Sequence, residues 1–257
     1  MATAGRQCAP VADPPPAHDL PDRWEQHAGW WQQEFTAGAD PEYEEQILPL
    51  VERYLGGARR VLDVGCGEGQ LARRLAARGV EVTGVDQTQG QVEEAVRRGG
   101  GPSYVRAGAD ALPCGTGSFD GVVMCLVIEH IDPIEPPIRE MARVLAPGGT
   151  FLLLLNHPLL QAPGSGWIDD HILEEQYWRV GPYLRDDVGI EELAPGVSLP
   201  FVHRPLFRYI RTMGAAGLLT EDMEEPPPPE GVLEAAWEYR EALTIPRLMA
   251  IRARRVI

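Results

Sequence analysis

At 257 residues the chain fits one large α/β domain with decorations, and a formal net charge of −15 excludes nucleic acid as a routine partner, since phosphate binding needs clustered basic residues. All 23 basic residues are arginine; with no lysine, Schiff-base chemistry, a pyridoxal lysine and a phosphate-loop lysine are excluded together. The four cysteines (Cys8, Cys66, Cys114, Cys125) show neither C-x-x-C nor zinc spacing and read as free thiols in a reducing compartment. Without a leader pattern or an apolar run long enough for a membrane span, the protein is expected to be cytoplasmic, with no membrane partner.

Residues 1–20 are Ala/Pro-rich and are expected to form a disordered tail, followed by a single domain over 21–257. Trp24, His27, Trp31 and Phe35 recur at helical spacing, and a second helix starts near Pro41 with Tyr43, Ile47, Leu50, Val51, Tyr54 and Leu55. This helical cap, 21–57, packs on the sheet, with Trp31 and Tyr43 as its candidates for touching a cofactor.

Arg60-Val-Leu-Asp-Val64 reads as a strand buried on both faces. Gly65, Gly67 and Gly69 end it, and a helix with Leu71 and Leu75 follows. Strand, glycine turn and helix make the first unit of a nucleotide-binding α/β sheet. Val80 to Val85 alternates like a second strand and stops at Asp86-Gln87, with Asp86 lying 21 residues beyond Gly65. An acidic residue there can accept from both hydroxyls of a ribose, each charge-assisted bond worth on the order of 1.5–3 kcal/mol. A helix over Gln89–Arg98, a strand over Ser103–Ala109 and the run Asp110-Ala111-Leu112-Pro113 come next. Phe119 to Cys125 is a fourth strand, whose following loop holds Leu126, Glu129 and His130. The amphipathic helix Pro133–Leu145, the turn Pro147-Gly148-Gly149 and a fifth strand, Thr150–Leu155, complete this half.

The pattern D-x-G-C-G-x-G from Asp63 is tighter than the G-x-G-x-x-G of dinucleotide folds. With R-V-L-A-P-G-G-T-F (143–151) downstream, it resembles the class I S-adenosylmethionine-dependent methyltransferases. The resemblance covers roughly 60–155 by motif and 204–257 by pattern. It implies a Rossmann-like seven-stranded sheet with helices on both faces, in the order 3-2-1-4-5-7-6 with the last strand antiparallel. It further implies S-adenosylmethionine as cofactor, held by Asp63, Gly65, Cys66, Gly67, Gly69, Asp86 and Gln87, with Asp110 and Ala111 at the adenine and Cys125 and Leu126 beside the methyl group. Quinone-type O-methyltransferases of this shape can carry an acidic metal ligand three positions before the Glu-His pair; that position is Leu126, so no metal is expected.

Residues 156–203 break the βα rhythm with prolines and aromatics and are expected to form an ordered cover over a small-molecule substrate, apolar or aromatic in kind. A helix over Arg204–Gly217, a strand over Leu218–Met223, a short helix over Ala235–Ala242 and a last strand over Leu248–Arg254 finish the chain. Three histidines stand after strands or before a helix on the ligand face: His130, His157 and His203 are the candidate bases for a hydroxyl acceptor. The expected activity is methyl transfer to oxygen, nitrogen or carbon of a small metabolite by a monomer or homodimer. The alternatives are a protein that binds S-adenosylmethionine or S-adenosylhomocysteine without transferring methyl groups, and an NAD-dependent oxidoreductase, which the glycine spacing disfavours.

Overall fold

The computed structural model describes residues 20–35, 40–172, 175–235 and 244–256. The expected N-terminal tail therefore lies outside the described residues, except for Leu20. Of the helix expected over Ala235–Ala242, only Ala235 is described, as the last residue of α8 (Glu230–Ala235).

Seven strands form the main sheet: β1 (Arg60–Val64), β2 (Glu81–Asp86), β3 (Ser103–Arg106), β4 (Phe119–Cys125), β5 (Leu145–Asn156), β10 (Leu218–Glu224) and β11 (Leu248–Arg255). Their order is β3-β2-β1-β4-β5-β11-β10. β1 pairs in parallel with β2 and β4, while β11 runs antiparallel to both β5 and β10. This is the order and sense that the family resemblance implies.

The near-continuous apolar runs follow from burial on both faces. On one side Leu62, Val64, Val122, Met124, Phe151 and Leu153 pack with Ile138 and Met141 of α5 (Glu135–Val144) and Tyr209 and Met213 of α7 (Leu206–Ala215). On the other, Val61, Val82, Val123, Leu152 and Leu154 meet Leu48, Val51 and Leu55 of α2 (Leu48–Leu55) and Leu71 and Leu75 of α3 (Gln70–Ala76). Alternate residues of one strand thus serve opposite cores.

Three details depart from expectation. β3 stops at Arg106 rather than Ala109, as befits an edge strand with exposed neighbours. β5 starts at Leu145 rather than Thr150, with a register shift against β4 between Phe119 and Gly121. The helix after Pro41 opens with a π-turn over Tyr43–Ile47.

The 156–203 stretch holds the short helix α6 (Pro158–Gln161) and two antiparallel hairpins, β6 (Gly166–Asp170) with β7 (Glu175–Arg179) and β8 (Asp187–Ala194) with β9 (Val197–His203). The N-terminal α1 (Leu20–Glu34) lies against α4 (Gln89–Arg98), where the Glu25 carboxylate accepts from the amides of Gln89 and Gly90 at 2.7 and 3.0 Å. No side chain of α4's own cap does this; α1 supplies the missing acceptor for two orphan N–H groups.

Candidate active site

The sheet's connections run outward in opposite directions from β1 and β4, and the crevice at such a switch point is where open α/β sheets bind ligands. A cavity of about 360 Å³ opens there, lined by the carboxyl ends of β1, β2 and β4, the glycine turn, α1 and the β8–β9 hairpin.

The glycine turn forms its floor. Gly65 has φ +75°, and a Cβ on it would stand 2.2 Å from Val127. Gly67 has φ +52° with nothing within 4 Å of where a Cβ would stand, so its open side faces the cavity rather than protein. The amides of Gly65 and Cys66 both donate to Val85 O, at 2.7 and 3.1 Å, which binds the turn to β2. Asp86 accepts from the amides of Gly67 and Thr88 at 2.9 and 2.8 Å, one on each carboxylate oxygen. Asp63 lies beneath the turn, 2% exposed, with Oδ2 unpartnered. Burial, reinforced by the charge of Asp86, pushes the Asp63 carboxyl up to about 7.

The far wall is aromatic. Trp31 stacks on Phe35 at 4.3 Å, and Trp24 meets Trp31 edge-on at 5.3 Å. Trp24 also meets His130 edge-on at 4.8 Å, and Phe201 meets that imidazole edge-on at 4.5 Å. His130 Nδ1 lies 2.7 Å from Pro200 O. A carbonyl can only accept, so Nδ1 carries the proton and Nε2, for which no hydrogen bond is found among the described residues, is left as an acceptor. Burial pushes the His130 imidazole down to about 4, so the ring is neutral at pH 7.

Of the residues expected at the cofactor, Gly65, Cys66, Gly67, Asp86, Gln87, Cys125, Leu126, Trp31 and Tyr43 line the cavity. Asp63 and Gly69 stand behind it, Gly69 capping α3 with the Tyr104 hydroxyl over its Cα. Asp110 and Ala111 are exposed and outside the lining, whereas Ala107 and Ala109 of the same loop are in it.

The three histidines separate. His130 lines the cavity; His157 and His203 do not. His157 caps α6, its Nδ1 accepting from the Leu159 amide at 3.1 Å and its Nε2 lying 2.8 Å from Glu225. His203 is buried with Nε2 donating to Tyr183 O at 2.8 Å. Sequence reasoning passed over Asn156, which ends β5 at the carboxyl edge of the sheet, the position that marks a strand-end site residue. It also missed Glu191 and Phe201, for which only the hairpin's register supplies a signal.

Charge decides which nucleotide suits this cavity. Its described lining includes Asp40, Glu42, Asp86 and Glu191, while its one guanidinium, Arg247, is paired with Glu42 at 3.4 Å. Among the described lining residues a pyrophosphate would meet carboxylates without a free cation. A sulfonium and an ammonium group fit the same surroundings. The open cradle at Gly67 is the feature such a ligand would use.

Comparison with known proteins agrees. The family model described as a methyltransferase domain matches residues 62–153. The O-methyltransferase resE of Aspergillus sclerotiorum is 35% identical over 197 residues, 63% of this chain and 72% of that protein. The chain belongs to the class I S-adenosylmethionine-dependent methyltransferases. The S-adenosylmethionine-dependent methyltransferase of Mesorhizobium loti shares the fold with a TM-score of 0.70 and 29% identity, over 82% of this chain and 97% of that one. The malonyl-[acyl-carrier protein] O-methyltransferase of Enterobacter lignolyticus is 37% identical over 90 residues, 36% of its length. S-adenosylmethionine is accordingly the methyl donor.

Proposed function

We propose that the enzyme methylates a hydroxyl group on a small, uncharged aromatic or apolar metabolite. The observation that carries this reading is His130, in edge-on contact with Trp24 and Phe201, with Nδ1 committed to a backbone carbonyl and Nε2 open as a proton acceptor. The O-methyltransferase named among the relatives supports oxygen as the atom methylated.

S-adenosylmethionine supplies, when bound, a methyl group on a positively charged sulfur. Asp86 would hold the ribose, and the Gly65–Gly67 backbone would border the amino-acid portion. The aromatic wall orients a flat acceptor and excludes water; orientation of this kind can lower a barrier by ~7–11 kcal/mol in favourable cases. His130 Nε2 takes the hydroxyl proton as the oxygen attacks, an effect of about 10²–10⁴ in rate. Its low basicity keeps the lone pair available at neutral pH.

An acidic lining whose one described guanidinium is already paired selects against carboxylate or phosphate acceptors. The β8–β9 hairpin, through Glu191, Leu193 and Phe201, serves as the substrate cover.

The test is S-adenosylhomocysteine release with a panel comprising orcinol, 4-nitrophenol, 4-methylumbelliferone and their carboxylated analogues. Turnover with neutral phenols, lost by a factor of about 10² or more in His130→Ala, is expected. Full turnover by His130→Ala, or preference for the carboxylated analogues, would overturn the reading.

A further inference from the structure

Arg204 has the largest of the fully buried side chains, 1% exposed, and it does not line the cavity. It follows β9 directly, and its guanidinium reaches back across the fold to the loop after β4. One terminal nitrogen donates to Ile128 O at 3.2 Å; the other donates to Ile131 O and to Asp132 Oδ1, the latter at 2.8 Å. Residues 128 to 130 form a single 3₁₀ turn. The two carbonyls that Arg204 engages therefore bracket His130.

A buried guanidinium is a poor choice for stability alone, because its desolvation offsets much of what its ion pair returns. What this one adds is geometry. The same stretch of chain already grips the imidazole twice, through Pro200 O on Nδ1 and through the Phe201 ring. With Arg204 holding the backbone on either side, the 200–204 segment fixes the position and the tautomer of His130 together. Pro133 has no N–H to offer the loop's carbonyls, and the guanidinium supplies the donors from outside.

We propose that Arg204 is a positioning residue for His130, tying the 128–132 turn so that Nε2 stays directed at the methyl acceptor. This rests on the reading of His130 as the proton acceptor, but its structural half can be tested without any acceptor. The variants are Arg204→Met, Arg204→Lys and Asp132→Asn. The readouts are nitrogen NMR of the His130 imidazole and calorimetric titration with S-adenosylhomocysteine.

The wild-type ring is expected to show one neutral tautomer, pyrrole-like at Nδ1 and pyridine-like at Nε2. Arg204→Met should mix the two tautomers, with Arg204→Lys and Asp132→Asn intermediate, while affinity for S-adenosylhomocysteine changes less than about two-fold because the cofactor floor is built by other elements. With whichever panel phenol the wild type methylates, kcat should fall about 10–100-fold in Arg204→Met and KM for S-adenosylmethionine should hold. Should Arg204→Met not fold, the graded response of the two milder variants carries the test. A wild-type imidazole spectrum in Arg204→Lys and in every other folded variant would overturn the positioning role, whatever the turnover. Spectra that shift as expected while no phenol is methylated would instead sink the hydroxyl-acceptor reading and leave the positioning intact.

Discussion

Replacing Gly65 by alanine tests how the cofactor turn is held. Gly65 sits at φ +75°, and the added Cβ would stand 2.2 Å and 2.9 Å from the two γ-methyls of Val127. The left-handed backbone costs an alanine about 1–2 kcal/mol. Overpacking against Val127 costs about 1–3 kcal/mol more, because Val127 must move and its neighbours with it. Loss of chain entropy in the unfolded state returns about 0.4–1 kcal/mol. The net destabilisation is about 1–5 kcal/mol, and at about 2–4 °C per kcal/mol for a domain of this size the melting temperature should drop by roughly 2–18 °C. The S-adenosylhomocysteine affinity should fall too, since the Gly65 and Cys66 amides that anchor the turn to Val85 O would be displaced.

Adding Val127→Ala removes the collision but leaves the backbone cost. The double variant should therefore recover about 1–3 kcal/mol relative to Gly65→Ala, read as a coupling energy in a thermal-melt cycle. If Gly65→Ala melts within about 2 °C of wild type, or Val127→Ala recovers nothing, then the turn is not packed as described.

Three further outcomes are expected. Asp63 and Glu129 are buried carboxyls raised to about 7, so between about pH 4 and pH 7 the folded protein holds protons that the unfolded chain has released. With more protons bound folded than unfolded, their contribution to stability falls as pH rises through that window, by up to about 1.4 kcal/mol per pH unit for each group. Melting temperatures of wild type and Asp63→Asn from pH 5 to 8 check this, and a slope no shallower in the variant would refute it. Asp86→Ala should weaken S-adenosylhomocysteine binding by about 10–150-fold, the equivalent of 1.5–3 kcal/mol, measured by calorimetry; unchanged affinity would remove Asp86 from the ribose. Glu25→Ala uncaps α4 and loosens α1, so S-adenosylhomocysteine should dissociate several-fold faster in stopped-flow tryptophan fluorescence, corresponding to about 1 kcal/mol for exposed capping bonds. An unaltered off-rate would show that the Glu25 contact between α1 and α4 does not hold the ligand in the cavity.

The strands were legible because two-sided burial leaves an unmistakable trace: Phe151 to Leu155 can alternate between two cores only in the middle of a covered sheet, while their order came from the family resemblance. Asp86 was legible for a similar reason, since register with the glycine turn carries its position. The histidines were not. His130, His157 and His203 all stand at the ends of elements on one side of the sheet, and chain position alone does not say which ring a cap or a carbonyl will occupy. Nor does it show Arg204, because an arginine before a proline and a helix looks like surface. Only the return of the β8–β9 hairpin to the loop after β4 buries it.

Leu126 explains why that loop is worth clamping. It is the one non-glycine residue with positive φ among those described, at +55°, and it stands where β4 gives way to the cavity. A left-handed leucine is strained by roughly 1–3 kcal/mol, and such strain persists only where the surroundings over-determine it. Here the Leu126 amide is held by Leu154 O at 2.9 Å, and Val127 fills the space above Gly65 that a side chain there would have taken. The kink therefore needs a bare glycine in the cofactor turn, and it sends the chain across the cavity to deliver His130. Glycine turn and strained leucine are two halves of one contact, and Arg204 closes its far end; under the proposed mechanism, loosening any of the three should blur the alignment of methyl donor, acceptor and His130.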